Sequence, residues 1–227
     1  MSALLAIVSI ALVIVAVQPT TSEVYIDFEP ATITQPLYAK VLAFVDRDVQ
    51  MRQLAARVVG DAVDAEEKAE RILRWTHTNI RPTPPGMPIV DDHVLNIVIR
   101  GYGQIDQGAD VFANLATYAG MPGGLVYSKR PDGRNHYAFG VIRIDGADRV
   151  FDVREGRALR DRDGRLASVA ELRADPSMLR DLPPPAWANG VPYPVLVASL
   201  ETGTIRRPSN QMPVSRLMDE LAKFLRR

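Results

Sequence analysis

Gly101-Tyr102-Gly103-Gln104-Ile105-Asp106-Gln107 opens an apolar run in which Val111, Phe112, Leu115, Ala116 and Ala119 recur at helical spacing until Gly120 stops it. Two glycines permit a tight turn into the helix, and Ile105 stands at the helix start. Downstream the period changes. Gly124 to Ser128, His136 to Ile144 and Arg149 to Val153 read as strands separated by Pro131-Asp132-Gly133 and Asp145-Gly146. Tyr137, Phe139 and Val141 alternate with Ala138, Gly140 and Ile142, the pattern of an antiparallel meander packed on a helix. Helices against an antiparallel sheet make this an α+β chain.

Upstream, Leu37, Val41, Phe44, Val45, Leu54, Ala55 and Val58 predict one long helix or two shorter ones broken near Asp46-Arg47-Asp48. Asp64 with Glu67 forms a capping box for a helix that buries Ala69, Ile72, Leu73 and Thr76 and ends near Asn79. Arg81 to Pro88 holds four prolines and a glycine and predicts a loop. Ser168 with Glu171 caps a short helix, residues 183–194 read as a Pro-rich surface connection, and Ser215 to Leu225 predicts a final amphipathic helix.

Ala3 to Val17 is uncharged and apolar on every face, interrupted only by Ser9, and Gln18-Pro19 ends it. Its length lies at the lower limit of a spanning helix, roughly 17 to 25 residues, and overlaps the core of a signal peptide. Residues 1–19 therefore read as a membrane anchor or signal. The poor cleavage site at Val15-Ala16-Val17-Gln18 favours the anchor, with the domain outside the cytoplasm. Residues 20–36 read as a tether with one short strand at Val24-Tyr25-Ile26, and 37–227 as the folded domain. The 27 basic and 27 acidic residues balance, which disfavours nucleic acid as a partner. Without cysteine there are no disulfides, thiolate metal sites or thiol catalysis.

The Gly-Tyr-Gly-Gln turn, His136 at the head of a strand and Asp152 in Phe151-Asp152-Val153 together resemble the transglutaminase-like branch of the papain-type fold. Trp75-Thr76-His77-Thr78-Asn79-Ile80 and Ala119-Gly120-Met121-Pro122 extend the resemblance over about Ala69 to Gly156. It implies a papain-like core in which position 105 carries a nucleophilic cysteine, His136 takes its proton and Asp152 orients the imidazole. Here that position is Ile105, which cannot attack a carbonyl. The expectation is a pseudoenzyme that binds a peptide, protein or glycan, with His136 and Asp152 as a remnant dyad. Gln104, Tyr102, Trp75 and Tyr137 would line its groove. The alternatives are an active hydrolase in which His136 and Asp152 activate water, and a thiol acyltransferase lineage whose relatives carry cysteine at 105. No cofactor and no metal is expected. Asp91-Asp92-His93 lacks a second histidine at ligand spacing and reads as a turn or helix cap, Asp106 as a cap, and His77 as a packing residue.

Overall fold

In the computed structural model the backbone is described over residues 2–129 and 136–201, and side chains over 5–129 and 137–201. The Pro131-Asp132-Gly133 turn and the Ser215 to Leu225 helix lie outside the described residues.

The apolar N-terminal run forms α1 (Ser2–Ala16), a helix of 15 residues exposed on all sides. At about 1.5 Å per residue it reaches about 22 Å, short of a hydrocarbon core of about 30 Å. Among the described residues no helix is long and apolar enough to cross a membrane, which corrects the expectation of a spanning segment. The expected tether is also corrected. Residues 20–36 belong to a hairpin, β1 (Pro19–Ile26) and β2 (Glu29–Pro36), with register from Pro19↔Pro36 to Ile26↔Glu29. Asp27 and Phe28 take left-handed φ values of 50° and 70° in the two-residue turn, and Asp27 exchanges hydrogen bonds with Ile89.

α2 (Leu37–Val59) is one uninterrupted helix whose C-terminal half buries Met51, Ala55 and Val59. Asp64 caps α3 (Ala65–Asn79) by accepting from the Glu67 amide at 2.9 Å. Within the expected loop a two-residue strand, β3 (Arg81–Pro82), pairs in parallel with β5 (Tyr102–Gly103). Between them lie β4 (Val90–Asp91), which adds to the hairpin through Tyr25↔Asp91, and α4 (Val94–Arg100).

α5 (Ile105–Tyr118) is the central helix. It lies on a four-stranded antiparallel sheet made of β6 (Gly123–Lys129), β7 (His136–Ile144), β8 (Ala147–Asp152) and β9 (Arg157–Ala158), in that order. The close fit of helix to sheet has a local cause. A Cβ at Gly140 would overlap the Phe112 ring, so glycine is what lets Phe112 settle against Phe151 at 5.1 Å between centroids.

Strand alternation divides the interior in two. Ala138, Ile142 and Phe151 join the cluster beneath α5, α3 and α2. Tyr137, Phe139, Val141 and Val150 face a second cluster built with α6 (Val169–Ala174), a 3-10 turn at Pro176–Leu179 and α7 (Tyr193–Ala198). Residues 183–194, expected as a surface connection, therefore carry core residues: Ala188 and Tyr193 are fully buried.

Candidate functional site

Gly101 ends α4 in the left-handed region at φ 72°, donating its amide to Ile97, and turns the chain toward α5. Gly103 is required for a different reason. A Cβ there would stand 2.8 Å from the Gln107 amide oxygen, which accepts the Gln104 N–H at 3.0 Å and closes the first turn of α5. The Gln107 amide nitrogen donates to the Val90 carbonyl at 2.6 Å, and Gln104 reaches Thr83 at 3.2 Å. The turn is thus fixed by side-chain amides from both sides.

Ile105 occupies the first position of α5, half-buried, and packs against both hydrophobic clusters. It is the joint where the two cores meet at the end of the sheet. Asp106 beside it is exposed and accepts the adjacent Gln107 amide at 2.9 Å, but the cap of α5 is Gln104 and not Asp106 as expected. Trp75 is half-buried against the first cluster. Tyr102 is half-buried with the Arg100 guanidinium 5.9 Å from its ring centre.

Asp152 has no exposed surface, and three donors hold its carboxylate. The Tyr137 hydroxyl donates at 2.9 and 3.1 Å, the Tyr193 hydroxyl at 2.8 Å and the Glu155 amide at 3.0 Å. Burial pushes its pKa up to about 6, and the three hydrogen bonds oppose that rise. Desolvation and the adjacent carboxylate push the Tyr137 and Tyr193 hydroxyls well above the ordinary phenol range. Tyr137, expected in an open groove, is instead a core residue whose hydroxyl serves Asp152.

His136 heads β7 opposite Lys129, and its side chain lies outside the described residues. The Asp152 carboxylate meets Tyr137 and Tyr193 on the face of the sheet that carries the second cluster.

The loop after Asp152 ties that face to the α5 turn. Arg154 donates to the Gly103 carbonyl at 2.8 Å and stands 5.7 Å from the Trp187 ring centre. Burial lowers its pKa, and the neighbouring Tyr137, Asp152 and Glu155 oppose the shift. Glu155 accepts the Ala186 amide at 2.9 Å. His77, the expected packing residue, lies against Gly156 with Nδ1 3.0 Å from the Arg154 carbonyl. Arg154, Trp187 and Tyr193 carried no sequence signal for this role. The contacts that place them span long separations in sequence, Arg154 to Trp187, Arg154 to Gly103 and Tyr193 to Asp152.

On the other side of α5, Asp110 is pushed up to about 7, first by burial and then by the charges of Asp106 and Asp91. His93 caps α4 by accepting the Leu95 amide on Nδ1 at 3.1 Å, which places its proton on Nε2. Asp92 pairs with Arg100 at 2.7 Å. Among the described residues no group of three or more metal-ligating side chains is arranged to hold an ion.

No protein-family model and no curated protein sequence matches the chain. Solved structures show partial likeness. An inferred cysteine protease from Cytophaga hutchinsonii matches at 14% identity and TM-score 0.42 over 52% of this chain and 40% of its own. An inferred protease from Parabacteroides distasonis matches at 14% identity and TM-score 0.39, over 55% of this chain and 28% of its own. A structure described as a TGase matches at 9% identity and TM-score 0.38, over 60% and 43%. The chain spans less than half the length of each.

Proposed function

We propose that this chain is a catalytically inactive transglutaminase-like domain, held at a membrane by its N-terminal apolar helix and serving as a binding or scaffold module for an extended peptide or glycan. The observation that carries this reading is Ile105. Where the resemblance calls for a thiol, a half-buried hydrocarbon packs against both cores and offers no lone pair. The engagement of Asp152 by Tyr137 and Tyr193 supports the same reading over a water-activating dyad, because three donors already occupy both carboxylate oxygens and one would have to give way to an imidazole. Half-buried Trp75 and Tyr102, with Gln104, supply the mixture of aromatic faces and an amide that suits peptides or sugars. The apolar α1 has no charge to hold it at a lipid surface and inserts by hydrophobicity alone, with the domain on the extracytoplasmic side.

The test pairs turnover with binding. Purified full-length chain incubated with amide and ester acyl donors gives no product above buffer, while it retains ligands on peptide and glycan arrays, and Trp75→Ala or Tyr102→Ala removes that retention. Turnover in the unaltered chain, or retention indifferent to both substitutions, overturns the reading.

A further inference from the structure

Arg154 carries a charge that the described residues leave unanswered. Arg71, Arg100, Arg149 and Arg160 are likewise half-buried, and each meets a carboxylate at 3.1 Å or less. Among the described residues Arg154 meets none, and its guanidinium has two partners, the Gly103 carbonyl at 2.8 Å and the Trp187 ring at 5.7 Å. One bond to a neutral carbonyl leaves most of its donors unused. The carboxylates of its neighbourhood are engaged elsewhere: Asp152 accepts from Tyr137 and Tyr193, Glu155 from the Ala186 amide and Asp106 from the Gln107 amide. A guanidinium drawn partly out of water without a counter-charge is unfavourable, and a bound group that supplies one relieves it.

The indole beside it is placed at the surface and not packed into the core. Trp187 is 48% exposed, yet the turn that bears it is anchored on both sides. The Ala186 amide donates to Glu155 at 2.9 Å, and Ala188 is fully buried with its carbonyl accepting the Val191 amide at 3.1 Å. A fixed turn thus holds a large aromatic surface in solvent next to an unpaired guanidinium. Tryptophan and arginine in this arrangement are the residue types that dominate binding to a partner.

The pair adjoins the groove of the proposed function. Its tie to Gly103 sets Arg154 against the backbone of the stretch that carries Tyr102 and Gln104. The chemistry of the two side chains selects the ligand. A planar, forked cation matches a carboxylate. Residues 183–188, Pro-Pro-Pro-Ala-Trp-Ala, have no polar side chain, so the hydroxyls of a sugar laid on the indole would find no partners in that turn, whereas an apolar side chain needs none. An acidic residue with an apolar neighbour in a peptide satisfies both.

We infer that Arg154 and Trp187 form the specificity subsite of the groove, in which the Arg154 guanidinium receives the carboxylate of an acidic residue in a bound peptide and the Trp187 indole receives the apolar side chain next to it. The inference rests on the reading of this chain as a binding module and names its ligand class.

The test uses the full chain and two fluorescein-labelled peptides, polyalanine with a central leucine-glutamate pair and its twin with leucine-glutamine, titrated by fluorescence anisotropy at physiological ionic strength. The unaltered chain binds the glutamate peptide about tenfold tighter. Arg154→Gln abolishes that preference while the glutamine twin still binds, and Trp187→Ala weakens both peptides by a similar factor. Arg173→Gln, the same loss of charge at an exposed position of α6, leaves the preference in place. Equal binding of the two peptides by the unaltered chain overturns the inference whether or not the Arg154 variant folds. So does a preference that falls as far with Arg173→Gln, which would be bulk charge, or displacement of the glutamate peptide by galacturonate oligomers or inorganic phosphate at lower concentration than by unlabelled peptide. Binding of neither peptide removes the peptide-binding reading and this inference with it, whereas binding without preference removes this inference alone.

Discussion

Replacing Asp152 by asparagine removes a charge that the fold buries completely. The carboxyl titrates at about 6 in the folded chain against an ordinary value of 3.8, because burial outweighs its hydrogen bonds. A raised acid favours folding below the unfolded pKa, and that advantage is lost as pH climbs through the folded one. A separation of roughly two units, at about 1.4 kcal/mol per unit, means that stability falls by about 3 kcal/mol between about pH 4 and pH 6 on account of this group. Asparagine has no such titration. Its carbonyl keeps one acceptor, while its amide gives the two tyrosine hydroxyls a donor where they had an oxygen, at a cost of about 1 to 2 kcal/mol. Urea unfolding of both chains at steps from pH 4.5 to 8 separates the effects. Asp152→Asn is less stable than the parent at the acid end, and the gap closes or reverses above pH 6. The difference between the two curves isolates Asp152 from Asp110, which titrates at about 7 and appears in both. A constant gap across the range would refute the reasoning, because it would mean that the carboxyl is ionised alike in the folded and unfolded chains at every pH tested.

Tyr193→Phe deletes one donor to the Asp152 carboxylate, so it destabilises the chain by about 1 to 3 kcal/mol and moves the midpoint of the acid transition upward in the same urea series. Gly140→Ala forces a methyl group into the Phe112 ring and lowers stability by about 1 to 3 kcal/mol in thermal melts, whereas Gly146→Ala, in a solvent-facing turn with open space around it, loses less, and only through its left-handed φ. His93→Ala removes the cap of α4 and costs about 1 kcal/mol, and His93→Asn restores most of it, read by the same melts.

The parts of the fold that the sequence made legible are those with local causes. The apolar period after Ile105 is α5, the alternation after His136 is β7, and the Ser168 capping box forms, while at Asp64 only the cap bond from the Glu67 amide does and the Glu67 carboxylate turns to Arg71. What escaped was either disguised or distant. The hairpin of residues 19–36 is rich in Thr, Ser and Pro and turns on Asp27-Phe28 without a glycine, so its strands resembled a linker. Its signal was the run of β-branched residues on either side of Asp27. α7 was hidden by Pro192 at its cap and Pro194 in its first turn, although proline at the start of a helix is a regular feature. The partners of Asp152 could not be read at all. Alternation with Phe151 and Val153 sets the face of β8 that Asp152 takes, but that Tyr193, 41 residues later, would be brought to it by the second core had no local signal.

The central claim is that the turn at Ile105 is a structural joint without working acid–base partners. Installing Ile105→Cys in the full chain, where it is the only thiol, and following its alkylation against pH tests this most directly. The helix start lowers a thiol pKa and apolar packing raises it, so the account predicts a value within about one unit of 8.5, unchanged when Asp152→Asn is added. A thiol that titrates below about 6 and moves back toward 8.5 on adding Asp152→Asn would contradict it, because Asp152 would then be orienting a base for that position.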